Sequence, residues 1–368
     1  MLENAVKKAM VAMSGGVDSS VAAYLTKEKG METIGVTMKL FDNNLIGPDK
    51  ESSCCSLSDV EDARSVANRL GIKHYVFNFQ DDFKAQVVDR FVSAYEAGLT
   101  PNPCIDCNRY IKFNRLLRRA NELEQDFVVT GHYVRAFTEP GGRSYLLRGK
   151  DSSKDQSYVL YSLTQDELKR AMFPLGELTK EEARQIAEAQ GFINARKKDS
   201  QDICFVPDGN YEEFIRSYTG NDYPEGDFVG PDGEVLGRHK GLINYTIGQR
   251  KGLGLALPEP LYVKEKDVKG NRVILARNSD LFNKSLEVSD VNWIAVKGLT
   301  EDMECTVKVR YSQSDHPARL IPLSDNRVRV EFKEPERAIT PGQAAVFYDG
   351  EMVIGGGTIE RVIGDGSK

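Results

Sequence analysis

The sequence is short of several things. No stretch of its 368 residues approaches the run of about 18 apolar residues that a membrane-spanning helix needs, and no charged-then-apolar leader opens it. Both absences lead us to expect a cytoplasmic protein without a membrane partner. Six cysteines are too few for a disulfide scaffold, so they read as thiols, catalytic groups or metal ligands. There is no internal repeat and no low-complexity tract. Positive charge is in deficit: 49 Lys and Arg against 55 Asp and Glu leave a net −6. That balance argues against a nucleic-acid partner unless basic residues are locally concentrated. What is present is an even globular mix, 40% hydrophobic and 28% charged, long enough for two or three domains.

Strand-like and helix-like segments alternate over the first 135 residues. Val11–Met13, Thr33–Leu40, His74–Phe79 and Phe127–Thr130 read as buried strands. Val21–Lys29, Asp59–Leu70 behind a Ser58 cap, Asp82–Ala97 and Tyr110–Leu123 read as helices. This rhythm predicts an α/β fold, a doubly wound parallel sheet with its ligand outside the carboxyl ends of the strands. Helices over Gln165–Met172 and Thr179–Ala189 extend it. Beyond about Phe205 turn signals multiply and separate short strands at Asp227–Gly230, Tyr262–Lys266 and Arg272–Ala276. From about Leu286 the pattern is almost purely β, through Cys305–Tyr311, Arg319–Pro322, Arg327–Lys333 and Ala344–Tyr348, which predicts a small barrel. The expected division is the α/β domain over 1–206, a small mixed connector over 207–285 and a C-terminal β-barrel over 286–368.

Between the first strand and the first helix stands Ser14-Gly15-Gly16-Val17-Asp18-Ser19-Ser20. A strand, a glycine loop and a helix N-terminus gather backbone N–H groups around one point, which suits phosphate. The paired glycines let the backbone approach an anion closely. No Lys-Ser or Lys-Thr follows, which separates this loop from the type that holds terminal phosphates for γ-transfer. It is similar to the pyrophosphate loop of enzymes that split ATP into AMP and pyrophosphate to adenylate a carbonyl oxygen. A glycine turn before a helix can be merely structural, but the full seven-residue string after a strand favours ATP.

Cys104 and Cys107 form C-x-x-C within Thr100-Pro101-Asn102-Pro103-Cys104-Ile105-Asp106-Cys107. The prolines stiffen the approach, and a thiol at a helix start near arginines has a lowered pKa. A redox pair or half a zinc site are the plain alternatives, yet no thioredoxin-type context and no second C-x-x-C accompany them. Cys204 lies in Asp199–Phe205, at the end of the expected first domain. Cys54 and Cys55 are adjacent, either buried or extra ligands, and Cys305 alternates with Val307 and Val309 as core. Among four histidines, His74 opens a strand, His239 and His316 lie in polar turns, and His132, after Gly131 at a strand end, is placed for function. From Cys107 to Arg119 run Arg109, Lys112, Arg115, Arg118 and Arg119 with no acid among them, either a solvated helix face or a nucleic-acid contact.

Taken together, these motifs resemble the tRNA-specific 2-thiouridylases, which replace the C2 oxygen of the wobble uridine with sulfur. The resemblance covers nearly the whole chain. It includes Ala12–Ser20, Thr130-Gly131-His132-Tyr133, Lys154-Asp155-Gln156-Ser157-Tyr158, Asp199–Phe205, Gly248-Gln249-Arg250-Lys251-Gly252-Leu253-Gly254, Val309–Gln313 and Thr340–Tyr348. It implies that Ala12, Met13, Ser14, Gly15, Gly16, Val17, Asp18 and Ser19 hold ATP, with Met38 and Gly131 around the nucleoside and Mg²⁺ spreading charge. Asn102, Pro103 and Cys104 would face the flipped base. His132, Lys154, Asp155, Gln156, Arg310, Tyr311 and Gln343 would contact tRNA. Cys204 would carry the persulfide sulfur and Cys107 would attack it, taking over the remaining S–S bond. The partners implied are a tRNA with a wobble uridine and an upstream persulfide carrier or sulfide.

One departure stands out. The family's usual motif has Asp where this chain has Cys104. The change creates three thiols, Cys104, Cys107 and Cys204, and so resembles related tRNA thiolases that hold an iron–sulfur cluster by three cysteines. Persulfide and cluster routes stay open at this point. Outside the family, the alternatives are another pyrophosphate-loop ligase or amidotransferase, or a non-catalytic nucleotide sensor.

Overall fold

A computed structural model describes residues 6–41, 57–199, 203–206 and 209–364. Cys54 and Cys55 lie outside the described residues. The chain forms two compact units: Met1–Val88 with Pro103–Gly209 and Glu351–Ile354, and Asp89–Asn102 with Asn210–Gly350 and Gly355–Lys368.

The first unit contains β1 (Lys8–Ala12), β2 (Glu32–Lys39), β3 (Lys73–Asn78), β4 (Phe127–Val129), β5 (Val134–Thr138), β6 (Ser144–Arg148) and β7 (Ala171–Met172). Five of these make a parallel sheet in the order β3-β2-β1-β4-β7. β1 is central, and Ala9, Met10 and Val11 have no exposed surface, as an apolar run covered on both faces requires. Helix Val17–Glu28 packs Val21, Ala22 and Ala23 into a cluster with Val66, Ala67, Ala183 and Ala187. These small residues let helices lie close to one another and to the sheet. The chain runs outward from β1 to β2 and β3, then returns to place β4 on the other side of β1. That reversal opens a crevice at the carboxyl ends of β1 and β4, where doubly wound sheets take ligands.

In the second unit, strands Tyr262–Asp267, Arg272–Ala276, Gly226–Val229 and Val235–His239 form a four-stranded sheet in that order, over a core of Phe228, Tyr245, Val263, Val273 and Leu275. A six-strand barrel follows in the order Phe282–Trp293, Val328–Arg337, His316–Pro322, Met303–Lys308, Ala344–Asp349 and Met352–Ile363. It closes where the last strand pairs with the first, through contacts such as Glu287 with Arg361 and Trp293 with Gly355. The expected α/β sheet and terminal barrel are therefore both present.

Local expectations need correction. Ser58 lies inside helix Leu57–Leu70 and does not cap it. The stretch expected as helix to Met172 ends at Arg170, and Ala171–Met172 instead adds the edge strand β7. The basic helix starts earlier than its apolar period suggests, and Cys107–Arg115 is π-helical before α-helix Leu116–Glu122. His239 and His316 sit in strands, not turns. His239 is fully buried, its Nδ1 accepting from Gly241 N and its Nε2 within 3.1 Å of Asn271 O. Cys305 is half-buried in its strand, and burial, with Glu304, Asp349 and Asp315 nearby, pushes its thiol up to about 12.

Candidate active site

The glycine loop leaves β1 at the switch point. Met13, just past β1, donates to Val36 O (2.8 Å) and accepts from Thr37 Oγ1 (2.8 Å), which brings the end of β2 and half-buried Met38 alongside. Gly15 has φ +77°, and a Cβ there would lie 2.3 Å from Asp59 O, so only glycine fits. Gly16 precedes the helix with no side-chain cap, so the first N–H groups, from Val17 onward, are left for a ligand. Ser19 Oγ accepts from Ser14 N (3.2 Å) and donates to Gly16 O (3.1 Å), which fixes the turn from within. Gly131, just past β4, closes the other wall. A Cβ on it would meet Asp18 C and Ser19 N at 2.8 Å, so the segment after β4 touches the first turn of the helix backbone to backbone.

Charged groups then surround Asp18. Lys180 Nζ lies 2.7 and 2.8 Å from its two oxygens, and Tyr133 OH donates to Oδ1 at 2.8 Å. Burial and the Asp18 carboxylate push the Tyr133 phenol far up, so it acts here only as a donor. Lys180 also reaches Asp199 Oδ1 (2.7 Å), and Lys154 Nζ holds Asp199 Oδ2 (2.8 Å). Burial opposes ionisation of Asp199, but Lys154 and Lys180 keep its carboxyl below the usual range. Beneath the loop, Asn194 Nδ2 donates to Gly15 O and Ser20 Oγ, both at 2.9 Å. Lys197 bridges Asp59 (2.6 Å) and Asp62 (2.7 Å); its pKa stays raised although burial works against it.

Lys180, Asn194 and Lys197 escaped the sequence reading. Lys180 alone left a trace there. It opens a helix capped by Thr179 and Glu182, where a cation opposes the helix dipole, and such a local misfit signals a partner elsewhere.

Of the residues matched to tRNA contacts, several are committed inside the first unit. Asp155 is buried and accepts from Gly149 N, Ser157 N and Ser157 Oγ. Gln156 Oε1 accepts from Tyr133 N (3.0 Å). His132 is 7% exposed, lies 2.7 Å from Thr130 Oγ1 through Nδ1, and packs beside Phe113 and Phe173. Burial, then the Lys112 charge, holds its pKa well below 6.5, so the ring is neutral. In the second unit Arg310 donates to Ile247 O, Ala338 O and Thr340 Oγ1, and Gln343 Nε2 donates to Thr100 O. Tyr311 is 44% exposed under Lys308 Nζ, and Asn102 is half-buried.

The thiols differ in exposure. Cys104 is exposed on the short helix that buried Pro103 opens, Cys107 is buried at the start of the π-helical segment, and Cys204 is half-buried in a turn. Among the described residues, no three His, Cys, Asp or Glu side chains are grouped so as to hold a metal ion. Cys104, Cys107 and Cys204, the three thiols that could hold a cluster, are not part of any such group. In the basic run, Arg115 pairs with Asp82 (2.5 Å), while Arg119 pairs with Glu122 and lies over Phe77. Among the described residues, no helix is long and apolar enough to cross a membrane.

Known proteins match this chain along its length. Residues 7–208 match a family described as tRNA methyl transferase HUP domain, 212–277 its PRC-barrel domain and 283–359 an aminomethyltransferase beta-barrel domain. The tRNA-specific 2-thiouridylase MnmA of Lachnoclostridium phytofermentans is 50% identical over 357 residues, covering 96% of this chain and 99% of that one. That of Symbiobacterium thermophilum is 49% identical, covering 97% and 93%, and that of Clostridium beijerinckii 48%, covering 97% and 99%. With half its residues shared end to end, and with the glycine loop at the switch point of its sheet, the chain belongs to the tRNA-specific 2-thiouridylase family.

Proposed function

We propose that this protein is a tRNA uridine 2-sulfurtransferase of the cytoplasm, using ATP to activate the C2 oxygen of a wobble uridine. The observation that carries the reading is the uncapped glycine loop held against Gly131, in a chain that matches 2-thiouridylases over 96% of its length. The loop N–H groups and the start of helix Val17–Glu28 orient the phosphates of ATP. Uridine O2 attacks the α-phosphorus and pyrophosphate leaves. Tyr133 and Lys180 fix the Asp18 carboxylate at the loop, the acid that would face Mg²⁺. Bound there, Mg²⁺ would spread the charge of the departing pyrophosphate.

Sulfur transfer then falls to Cys204 and Cys107. A persulfide on Cys204, loaded by an upstream carrier protein or by sulfide in an oxidised form, attacks C2 through its outer sulfur. Cys107 thiolate attacks the inner sulfur, a Cys107–Cys204 disulfide forms, the C–S bond remains and AMP leaves. A dithiol reductant resets the pair. Cys104 and Pro103, exposed and buried at the start of the same helix, and Asn102 before them would line the base pocket.

The test uses the purified full chain with ATP, tRNA and a persulfide donor. Pyrophosphate should be released only with tRNA, and nucleoside mass spectrometry should find 2-thiouridine. Turnover without tRNA and without 2-thiouridine would favour another pyrophosphate-loop ligase, as would full activity of Cys204→Ala.

A further inference from the structure

The motif Gly248-Gln249-Arg250-Lys251-Gly252-Leu253-Gly254 has no part in the chemistry above, yet it is built with care. Gly248, Gly252 and Gly254 have φ of +86°, +79° and +72°. Gln249 closes the loop from within: its Oε1 accepts from Thr246 N (2.9 Å) and its Nε2 donates to Lys251 O (3.0 Å). Gly248 N donates to Val263 O (2.7 Å) and Gln249 O accepts from Val263 N (2.9 Å), which fastens the loop to strand Tyr262–Asp267. Gly248 also seats against the barrel, where a Cβ would lie 2.9 Å from Ala338 Cβ. Arg310 and Arg337 flank the same spot, with guanidinium nitrogens 3.7 and 3.6 Å from that position.

The tip of this fastened loop holds two adjacent cations in solvent. Arg250 and Lys251 are exposed, and neither has an ion-pair partner among the described residues. The neighbouring arginines behave otherwise. Between residues 210 and 285, Arg216 pairs with Glu212, Arg238 with Asp227, Arg272 with Asp267 and Arg277 with Glu259. Arg250 alone of the five has no carboxylate. Glu259 lines the cleft beside it but is held by Arg277 at 3.0 Å.

We propose that the loop Gly248–Gly254 is a grip for the tRNA backbone, in which Arg250 and Lys251 each neutralise a phosphodiester. The inference rests on the tRNA-thiolating reading and names a contact surface for it. A free phosphate or nucleotide needs converging buried donors, whereas these side chains stand outward from a rigid base, as backbone contacts do. It also recasts Arg310, whose donors to Ile247 O and Ala338 O make it a brace between loop and barrel.

The test measures unmodified tRNA binding to the full chain across a salt series. Arg250→Ala with Lys251→Ala should reduce the slope of log K against log salt by about 2, with at least about ten-fold weaker binding at low salt. ATP affinity and the urea midpoint should be unchanged. The charge-keeping exchange Arg250→Lys with Lys251→Arg should retain the wild-type slope. An unchanged slope and affinity in the alanine variant would overturn the proposal while leaving the thiolating reading intact. If the wild-type chain itself does not bind tRNA, both fall together.

Discussion

Lys180 clasps Asp18, its ammonium 2.7 and 2.8 Å from the two carboxylate oxygens, although 162 residues separate them. The same ammonium lies 2.7 Å from Asp199, so one cation stands between the phosphate loop and the segment leading to Cys204. Lys180→Met strips Asp18 of its cation, while Asp199 keeps Lys154 and Arg184. It should weaken ATP binding by about ten-fold or more and cost on the order of 2 kcal/mol, a value discounted because Asp18 is one-third exposed. Lys180→Arg should recover part of both. Calorimetric ATP titration and urea unfolding read the two effects separately; wild-type values for Lys180→Met in both would remove Lys180 from the site.

Gly131→Ala should damage turnover more than folding. Its methyl would lie 2.8 Å from Asp18 C and Ser19 N, so the loop must shift. A displacement of about 1 Å at a reacting group costs about a hundred-fold in rate. Gly298→Ala, with nothing within 4 Å, is the control. Pyrophosphate release at saturating tRNA is the measurement, and equal rates for the two variants would refute the close-approach argument.

His132 should make stability fall in mild acid. Its folded pKa is depressed by burial, so below 6.5 the unfolded chain binds a proton that the folded chain refuses. Stability is therefore present above pH 6.5 and is lost as pH falls, by about 1 kcal/mol between pH 7.5 and 5.5 for this one group. Replacing it with Asn should remove that share of the slope. Urea unfolding of both proteins at the two pH values provides the comparison.

Thiol labelling should follow exposure, with Cys104 alkylated before Cys204 and Cys107 last. Peptide mass spectrometry after a timed iodoacetamide pulse gives the order. Cys104→Asp should keep thiolation supported by a persulfide donor, whereas Cys107→Ser and Cys204→Ser should abolish it. Loss of activity in Cys104→Asp would instead make that thiol part of the sulfur chemistry.

The sequence made the loop, the parallel sheet and the barrel legible because each has a local signature: a glycine string after an apolar run, alternating periods, and strands between turns. Gly131 and Met38 came from resemblance, and geometry then supplied the reason for Gly131. Asn194 and Lys197 were not legible, and Lys180 only as a misplaced cation at a helix start, since all three meet the loop from more than 150 positions away. The hairpin β5–β6 was missed as well, its short strands lying next to the glycine and polar motifs that drew attention to function. His239 looked like a turn residue because its neighbours are polar, but its ring is buried against Phe228 and Tyr245.

The π-helical turn at Cys107–Arg115 has an evolutionary corollary. Such a turn is an α-helix carrying an inserted residue, because its hydrogen bonds reach one residue further. Deleting any single residue there would let the segment relax to ordinary spacing and swing Cys107 by about 100° about the axis relative to the helix that follows. Point substitutions leave that indexing alone. Gaps, rather than replacements, are the changes that lineages of this enzyme have reason to avoid across those nine positions.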